Sequence, residues 1–310
     1  PESIDVLLVS ATKDTVDTTT ISNLRNFLNT GKKVFIAQSG VNADIRTQQA
    51  GPLSSNIFEL LNEFSLDLQK NMVLDAKCGN VQVQEQRGIF LMNRPVEYPL
   101  FPTIDTFNGS DSLSGVVVNE LEQVLLLFPS EIKIDTSTNE KVEKVSTLFT
   151  SSNNSGIMES NLVLSPDPQQ NPFLRMLGQP GKILAATSRL NTGGELMLVS
   201  DSRFLSDEGG MSIPVNMIFM MNAVDYLAND ADLISLRSRE ITSRPLDILQ
   251  LSDAEENSMS QDDKDKLRDK KKKRWKFANM VLPTLLIIGF GFYRIRREKV
   301  QAEVLKQIYD

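Results

Sequence analysis

The stretch "IDVLLVSATKDTVDTTTISNLRNFLNTGKKVFIA", Ile4 to Ala37, constrains the fold of this 310-residue chain more than any other. It opens on "IDVLLVSA", a short apolar run bounded by polar residues, as a strand buried on both faces should be. Asp17 or one of Thr18 to Thr20 can cap the helix that follows. Ile21, Leu24, Phe27 and Leu28 recur at helical spacing, and Gly31 supplies a C-terminal stop. "KKVFIAQSG" then gives a second strand over Val34 to Ala37. Two strands joined through one helix make a right-handed βαβ unit, so the chain is expected to build an α/β fold around an open, mostly parallel sheet.

The alternation continues with a helix in "SSNIFELLNEFSLDL" and a strand in "NMVLDA". From about Val81 to Ile134 the pattern becomes β-rich, and this part is expected to elaborate the sheet. "VQVQEQRGIFLMN" alternates like a half-exposed strand, "RPVEYPLFP" reads as a Pro-punctuated extended loop, and "VLLLFPSEIKI" as two short strands broken at Pro129. "KVEKVSTLFTSS" reads as a strand or short helix, and Ser151 to Gln170 as a surface loop. "GKILAATSRL" and "ELMLVSDSRFLSD" give two further strands, a hairpin-like or sequential pair about a turn containing Gly193 and Gly194. A helix from about Pro214 turns Ile218, Met221, Val224 and Leu227 inward.

Charge divides the chain. Residues 264–310 hold 14 basic and 5 acidic residues, leaving 19 basic and 35 acidic in residues 1–263. An acidic body argues against nucleic acid, which needs a basic footprint, while the basic segments suit anionic lipid headgroups. Within the basic part, Phe277 to Tyr293 is a run of 17 residues without a charge. As a helix it would extend about 25 Å, near the lower limit for a bilayer core. Trp275 and Tyr293 stand where interfacial aromatics belong, and Pro283, Gly289 and Gly291 are ordinary residues for a membrane helix. Gly289 and Gly291, with Thr284, would let a partner helix approach. The run is therefore expected to be a single transmembrane anchor. The layout that follows is an α/β domain at 1–235, a charged juxtamembrane stalk at 236–276, the anchor at 277–293 and a tail at 294–310. The start at Pro1, without an initiator methionine, is read as a processed or truncated beginning.

Two absences limit the chemistry. The chain has no histidine, which removes every Ser-His-Asp, Cys-His or His-metal arrangement built from its own residues. Its single cysteine, Cys78 in "DAKCGN", cannot close an intramolecular disulfide and reads as a small residue near a strand end. No nucleotide-binding glycine motif occurs, so neither cofactor nor metal is expected, and ATP would be bound by another subunit.

In order and spacing these segments resemble the GldG-like auxiliary subunits of bacterial ABC transporters, the type first named for gliding motility. The resemblance rests on "IDVLLVSATKD…ISNLRNFLNTGKKVFIA", "RPVEYPLFP", "VLLLFPSEIKI", "VSTLFTSS", "GELMLVSDSRFLSD" and "NMIFMMNAVDYLANDADLISLRSR", followed by the Pro-containing run and "RIRREK". It implies a fold similar to class I glutamine amidotransferases or flavodoxin. It also implies an extracytoplasmic domain at the bacterial inner membrane and, as partners, an ABC-2-type permease and its ATPase. The N-terminal helix of that pattern is expected to precede Pro1, in line with the processed or truncated beginning. Nine Lys or Arg precede the anchor over Lys264 to Lys276 and five follow it, which by the positive-inside rule alone would place the domain in the cytoplasm. The orientation implied by the resemblance is preferred, because a preceding helix normally dominates topology.

In open α/β sheets, ligands bind where loops gather at the carboxyl ends of the strands. Ser10, Thr12, Lys13, Gln38, Ser39, Ser200, Asp201, Ser202 and Arg203 are the residues expected at that crest. The reading is a non-catalytic transporter subunit, with possible homo-oligomers, whose domain docks partners or engages substrate. The alternatives are an autonomous anchored domain binding a peptide, lipid or glycan, and a hydrolase that relies on the Asp201 carboxylate. Asp201→Asn is expected to leave folding intact.

Overall fold

Every residue of the strand Lys33–Ala37 is buried, and its side chains divide by parity. Val34 and Ile36 enter one hydrophobic core, Phe35 and Ala37 another, so the strand is covered on both faces of its sheet. The computed structural model describes residues 3–45, 47–87, 90–107, 116–118, 121–135, 139–207 and 209–229, and in the C-terminal part 270, 274, 277, 280, 281, 283, 289–297 and 299. The chain forms two compact units, Pro1–Ile241 and Thr242–Asp310.

The strands of the first unit are β1 (Val6–Val9), β2 (Lys33–Ala37), β3 (Val41–Asp44), β4 (Gln49–Pro52), β5 (Leu66–Leu68), β6 (Met72–Asp75), β7 (Cys78–Arg87) and β8 (Phe90–Ile104), followed by β9 (Thr106–Phe107), β10 (Val124–Leu125), β11 (Ile132–Ile134), β12 (Val142–Thr150), β13 (Ser155–Met158), β14 (Ile183–Leu190) and β15 (Glu195–Val199). Its helices are α1 (Thr18–Asn29), α2 (Ile57–Glu63) and α3 (Pro214–Leu227). The main sheet runs β1-β2-β15-β14-β11-β5, with β12 on β14 and β9 on β12. α1 and α2 contribute to the core on one face, and α3 to the core on the other.

The βαβ unit forms as the sequence indicates. The Asp17 carboxylate accepts the Thr19 amide at 3.1 Å, Ile21, Leu24 and Leu28 are buried, and Gly31 turns the chain at φ +86°. Arg25 donates two hydrogen bonds to Glu63, tying α1 to α2, but both side chains are about a third exposed. Arg25→Ala should therefore cost no more than about 1 kcal/mol in denaturant unfolding. Deeper in the body, Glu195 is buried and accepts from the Tyr226 hydroxyl at 2.8 Å and from Arg189 at 3.3 Å. Glu195→Ala should cost about 2 kcal/mol in the same measurement, because it strands a buried hydroxyl and takes the carboxylate partner from a half-buried guanidinium.

Among the described residues, only β1–β2 and β2–β15 are parallel. The other pairings of the main sheet are antiparallel, which corrects the expected mostly parallel sheet. The reason lies in the connections. β14 and β15 are joined through a tight turn with Gly193 at φ +86°, and a link that short can only reverse the chain. Among the described residues, the connections from β5 to β15 carry strands, turns and the short 3-10 helix Pro172–Arg175 in place of α-helical crossovers.

Other expectations change as well. "RPVEYPLFP" belongs to β8, whose three prolines are tolerated because much of its length pairs only with β7. β7, β8 and β10 make a three-stranded sheet of their own, while β9 and β11 join the main one. The segment read as a surface loop contains β13, which pairs with β6, and it buries Met158 and Leu164 in a third core. On α3 the buried positions include Phe219, Met220, Ala223, Tyr226 and Leu227, whereas Met221 is exposed and Ile218 and Val224 are half-buried. This helix is apolar nearly all round, so periodicity alone could not select its inner face.

Among the described residues, no helix is long and apolar enough to cross a membrane. The run 277–293 is only partly described. Pro283, Gly289, Gly291 and Tyr293 are helical, while Trp275 and Thr284 lie outside the described residues.

Candidate functional site at the strand-end cleft

β1, β2 and β15 lie side by side and parallel, so the loops leaving their carboxyl ends open at one end of the sheet. These loops start at Ser10, Gln38 and Ser200, and the hairpin β3–β4 follows the second of them. Together they enclose a cleft of about 800 Å³. The crest expected from sequence therefore exists, and Ser10, Thr12, Lys13, Ser39, Ser202 and Arg203 line it.

Gln38 lies just below and links the three loops. Its Oε1 accepts from the Thr12 amide at 2.8 Å, and its Nε2 donates to Ser39 O at 3.0 Å. The floor hydroxyls can be accounted for one by one. Ser39 Oγ donates to Val41 O at 2.7 Å, so the proton in its 2.7 Å contact with Ser202 Oγ comes from Ser202. Ser202 Oγ in turn accepts the Ser39 amide at 2.8 Å. Ser55 Oγ donates to Asp14 O at 3.0 Å, and the one Thr12 hydroxyl proton is divided between Gln38 Oε1 at 3.2 Å and Ser55 Oγ at 3.3 Å. The floor thus spends its donors on itself and fixes the spacing of the loops.

Asp201 and Ser200 do not join the crest, which corrects the expectation for both. Their side chains are fully buried and do not line the cleft. Asp201 accepts the Leu127 amide at 2.8 Å on one oxygen and the Arg203 amide at 2.7 Å on the other. Burial pushes its carboxyl up to about 7, against the opposing pull of the two amides and the Arg203 charge. Asp201 is a brace between two backbones. The Ser200 hydroxyl is buried without a partner among the described residues.

The brace shapes a feature the sequence did not signal. Phe128 lines the cleft with φ at +56°, a left-handed conformation rare for a bulky residue, and it directly precedes Pro129. Its amide donates to Leu100 O at 3.0 Å, and its ring packs edge-on against Phe101 with centroids 5.0 Å apart. The Arg203 guanidinium lies over that ring, 5.9 Å from its centroid, and donates through Nη2 to Ala43 O at 2.9 Å. Leu53, Leu127, Phe128 and the β3 strand were all absent from the sequence-based site. Only the pre-proline position of Phe128 could have drawn notice.

Cys78, at the start of β7, has its thiol pushed up to about 11, chiefly by burial, so it is a poor nucleophile at neutral pH. Among the described residues no group of three or more acidic or cysteine side chains could hold a metal ion.

The first unit is thus a mixed α/β body with a loop-lined cleft at its parallel strand ends. A family model described as "ABC-type uncharacterized transport system" matches residues 1–230, and the chain belongs to this family of auxiliary components of ABC-type transport. No curated protein matches the chain. Among solved structures, the chain has a TM-score of 0.43 and 12% identity to the "mmIFT52 N-terminal domain", covering 72% of this chain and 77% of that one.

Proposed function

We propose that the chain is a non-catalytic accessory subunit of a GldG-like, gliding-type ABC transporter. In this reading it is anchored in the bacterial cytoplasmic membrane by one helix over 277–293, with the α/β body on the extracytoplasmic side. The body docks an ABC-2-type permease, or presents substrate to it, while a separate cytoplasmic subunit hydrolyses ATP. The observation that carries the reading is the family match over residues 1–230. Membrane anchoring draws support from the C-terminal unit, where the helical residues Phe277, Met280, Phe290, Phe292, Tyr293 and Ile295 are all more than half exposed. Exposed aromatic and aliphatic side chains in that number suit contact with lipid or with another membrane helix. A non-enzymatic role agrees with floor hydroxyls committed to one another and with Asp201 turned away from the cleft.

The test is photocrosslinking in native membranes, from probes placed at Met221 on α3 and at Phe290 in the C-terminal unit. The reading predicts adducts with a multi-span membrane protein from at least one of these positions. Adducts with soluble proteins alone, or none, would count against it.

A further inference from the structure

We propose that the strand-end cleft binds a small amphipathic anion, a phosphate or carboxylate group carrying an apolar portion, with Arg203 and Lys13 holding the charge. The inference rests on reading the cleft as the ligand-engaging part of the subunit.

The charge at the cleft runs against that of the body around it. Residues 1–263 hold 19 basic and 35 acidic residues, yet among the described residues the cleft is lined by two cations, Lys13 and Arg203, and one carboxylate, Asp44. In so acidic a body, a cleft where two cations stand against one carboxylate has a local charge that favours an anion. Arg203 is also held in position on three sides. Its amide is fixed by Asp201, its Nη2 by Ala43 O, and its guanidinium carbon lies over the ring of Phe128, 5.9 Å from the centroid. A guanidinium has five N–H donors in a planar fork, and the carbonyl occupies one of them. An arginine oriented this firmly has lost little freedom still to be lost when it meets an anion.

The second observation is independent of charge. Phe128 keeps a left-handed backbone at φ +56°, before a proline, where nothing in the side chain favours it. That conformation is maintained at the cleft wall, where it supports the stack under Arg203. Strained residues of this kind collect at ligand clamps. The wall beside it is apolar, formed by Leu53, Leu127, Phe128, Leu205 and the exposed Ile45. A volume of about 800 Å³ far exceeds a bare inorganic anion and lies within the range of organic ligand pockets. Because the floor hydroxyls are already satisfied, recognition falls to the cations at the rim and to this wall.

The experiment titrates the full chain, purified in detergent, by calorimetry with butyl phosphate, inorganic phosphate, butanol and dihexanoyl phosphatidylglycerol. Saturable binding of butyl phosphate or of the short-chain phospholipid is expected. Butanol should not bind, and inorganic phosphate should bind at least ~10-fold more weakly than the amphipathic probe. Whichever of the two amphipathic probes binds, free anion or lipid headgroup, supports the site and identifies its source. Arg203→Gln should weaken that binding ~10-fold or more, and Lys13→Gln, an exposed residue whose loss cannot unfold the body, about fivefold. Failure of every anionic probe to bind, or binding that both variants leave unchanged, would overturn the proposal. Because the titration uses the chain alone, its failure would leave assembly with a permease untouched, and the reverse also holds.

Discussion

Gly40→Ala is expected to be the most damaging conservative change near the cleft, lowering stability by about 3 kcal/mol or more in denaturant unfolding of the full chain. A Cβ at this position would stand 1.9 Å from Gln69 O and 2.7 Å from its carbonyl carbon, so the backbone itself would have to move. Gly40 has no freedom to retreat. Its amide donates to Ser130 Oγ at 2.8 Å, its carbonyl accepts the Leu53 amide at 2.9 Å, and Ser130 Oγ donates onward to Asn71 O at 2.6 Å. The same shift would carry Ser39 and Val41 with it and misplace the β3 wall. Gly51, where an added Cβ meets nothing within 4 Å, is the control and should change stability by no more than about 0.5 kcal/mol. Equal losses for the two variants would show that the close approach at Gly40 is not what the residue is for.

Asp201 carries the second large effect, and here the structure reverses what the sequence suggests. An exposed loop aspartate would accept asparagine without loss. This one is fully buried, and each of its oxygens accepts a backbone amide. Asn keeps one acceptor and turns an NH₂ toward an amide N–H, which should cost about 2 kcal/mol, and Ala orphans both amides for about 3 kcal/mol. The pH dependence has a definite sign. The folded carboxyl titrates at about 7, above its ordinary value, so the folded state holds the proton more tightly than the unfolded one. Its contribution is complete below the ordinary carboxyl range, near pH 4, and is lost as pH rises through about 7. The stability advantage of the native chain over Asp201→Asn should therefore shrink between pH 4 and pH 8. An advantage that grows with pH would mean that the two amides outweigh burial and keep the carboxylate ionised.

The residues show why part of this fold was legible in the sequence and part was not. Local signals delivered the βαβ unit, since an Asp cap, a helical apolar face and a stop glycine all act between Asp17 and Gly31. The crest followed from a topological rule that needs only parallel neighbours, and β1, β2 and β15 satisfy it. Strand direction elsewhere depends on which distant segments pair, and no local pattern reveals that β11 meets β5 or that β12 meets β14. The prolines of β8 look like breakers because their tolerance comes from an edge that only the folded sheet defines. At the cleft, the rim cations were visible as residue types. The inward turn of Asp201 and the strained Phe128 were not, because both are consequences of long-range packing.

The most direct measurement is co-isolation. The full-length chain would be tagged in its own cell, extracted in mild detergent and washed at high salt, and the eluate analysed for its proteins and for ATP hydrolysis. The account predicts a multi-span permease and a separate ATPase subunit in the eluate, with hydrolysis that depends on that subunit. Recovery of the chain alone, or with soluble proteins only, would contradict it.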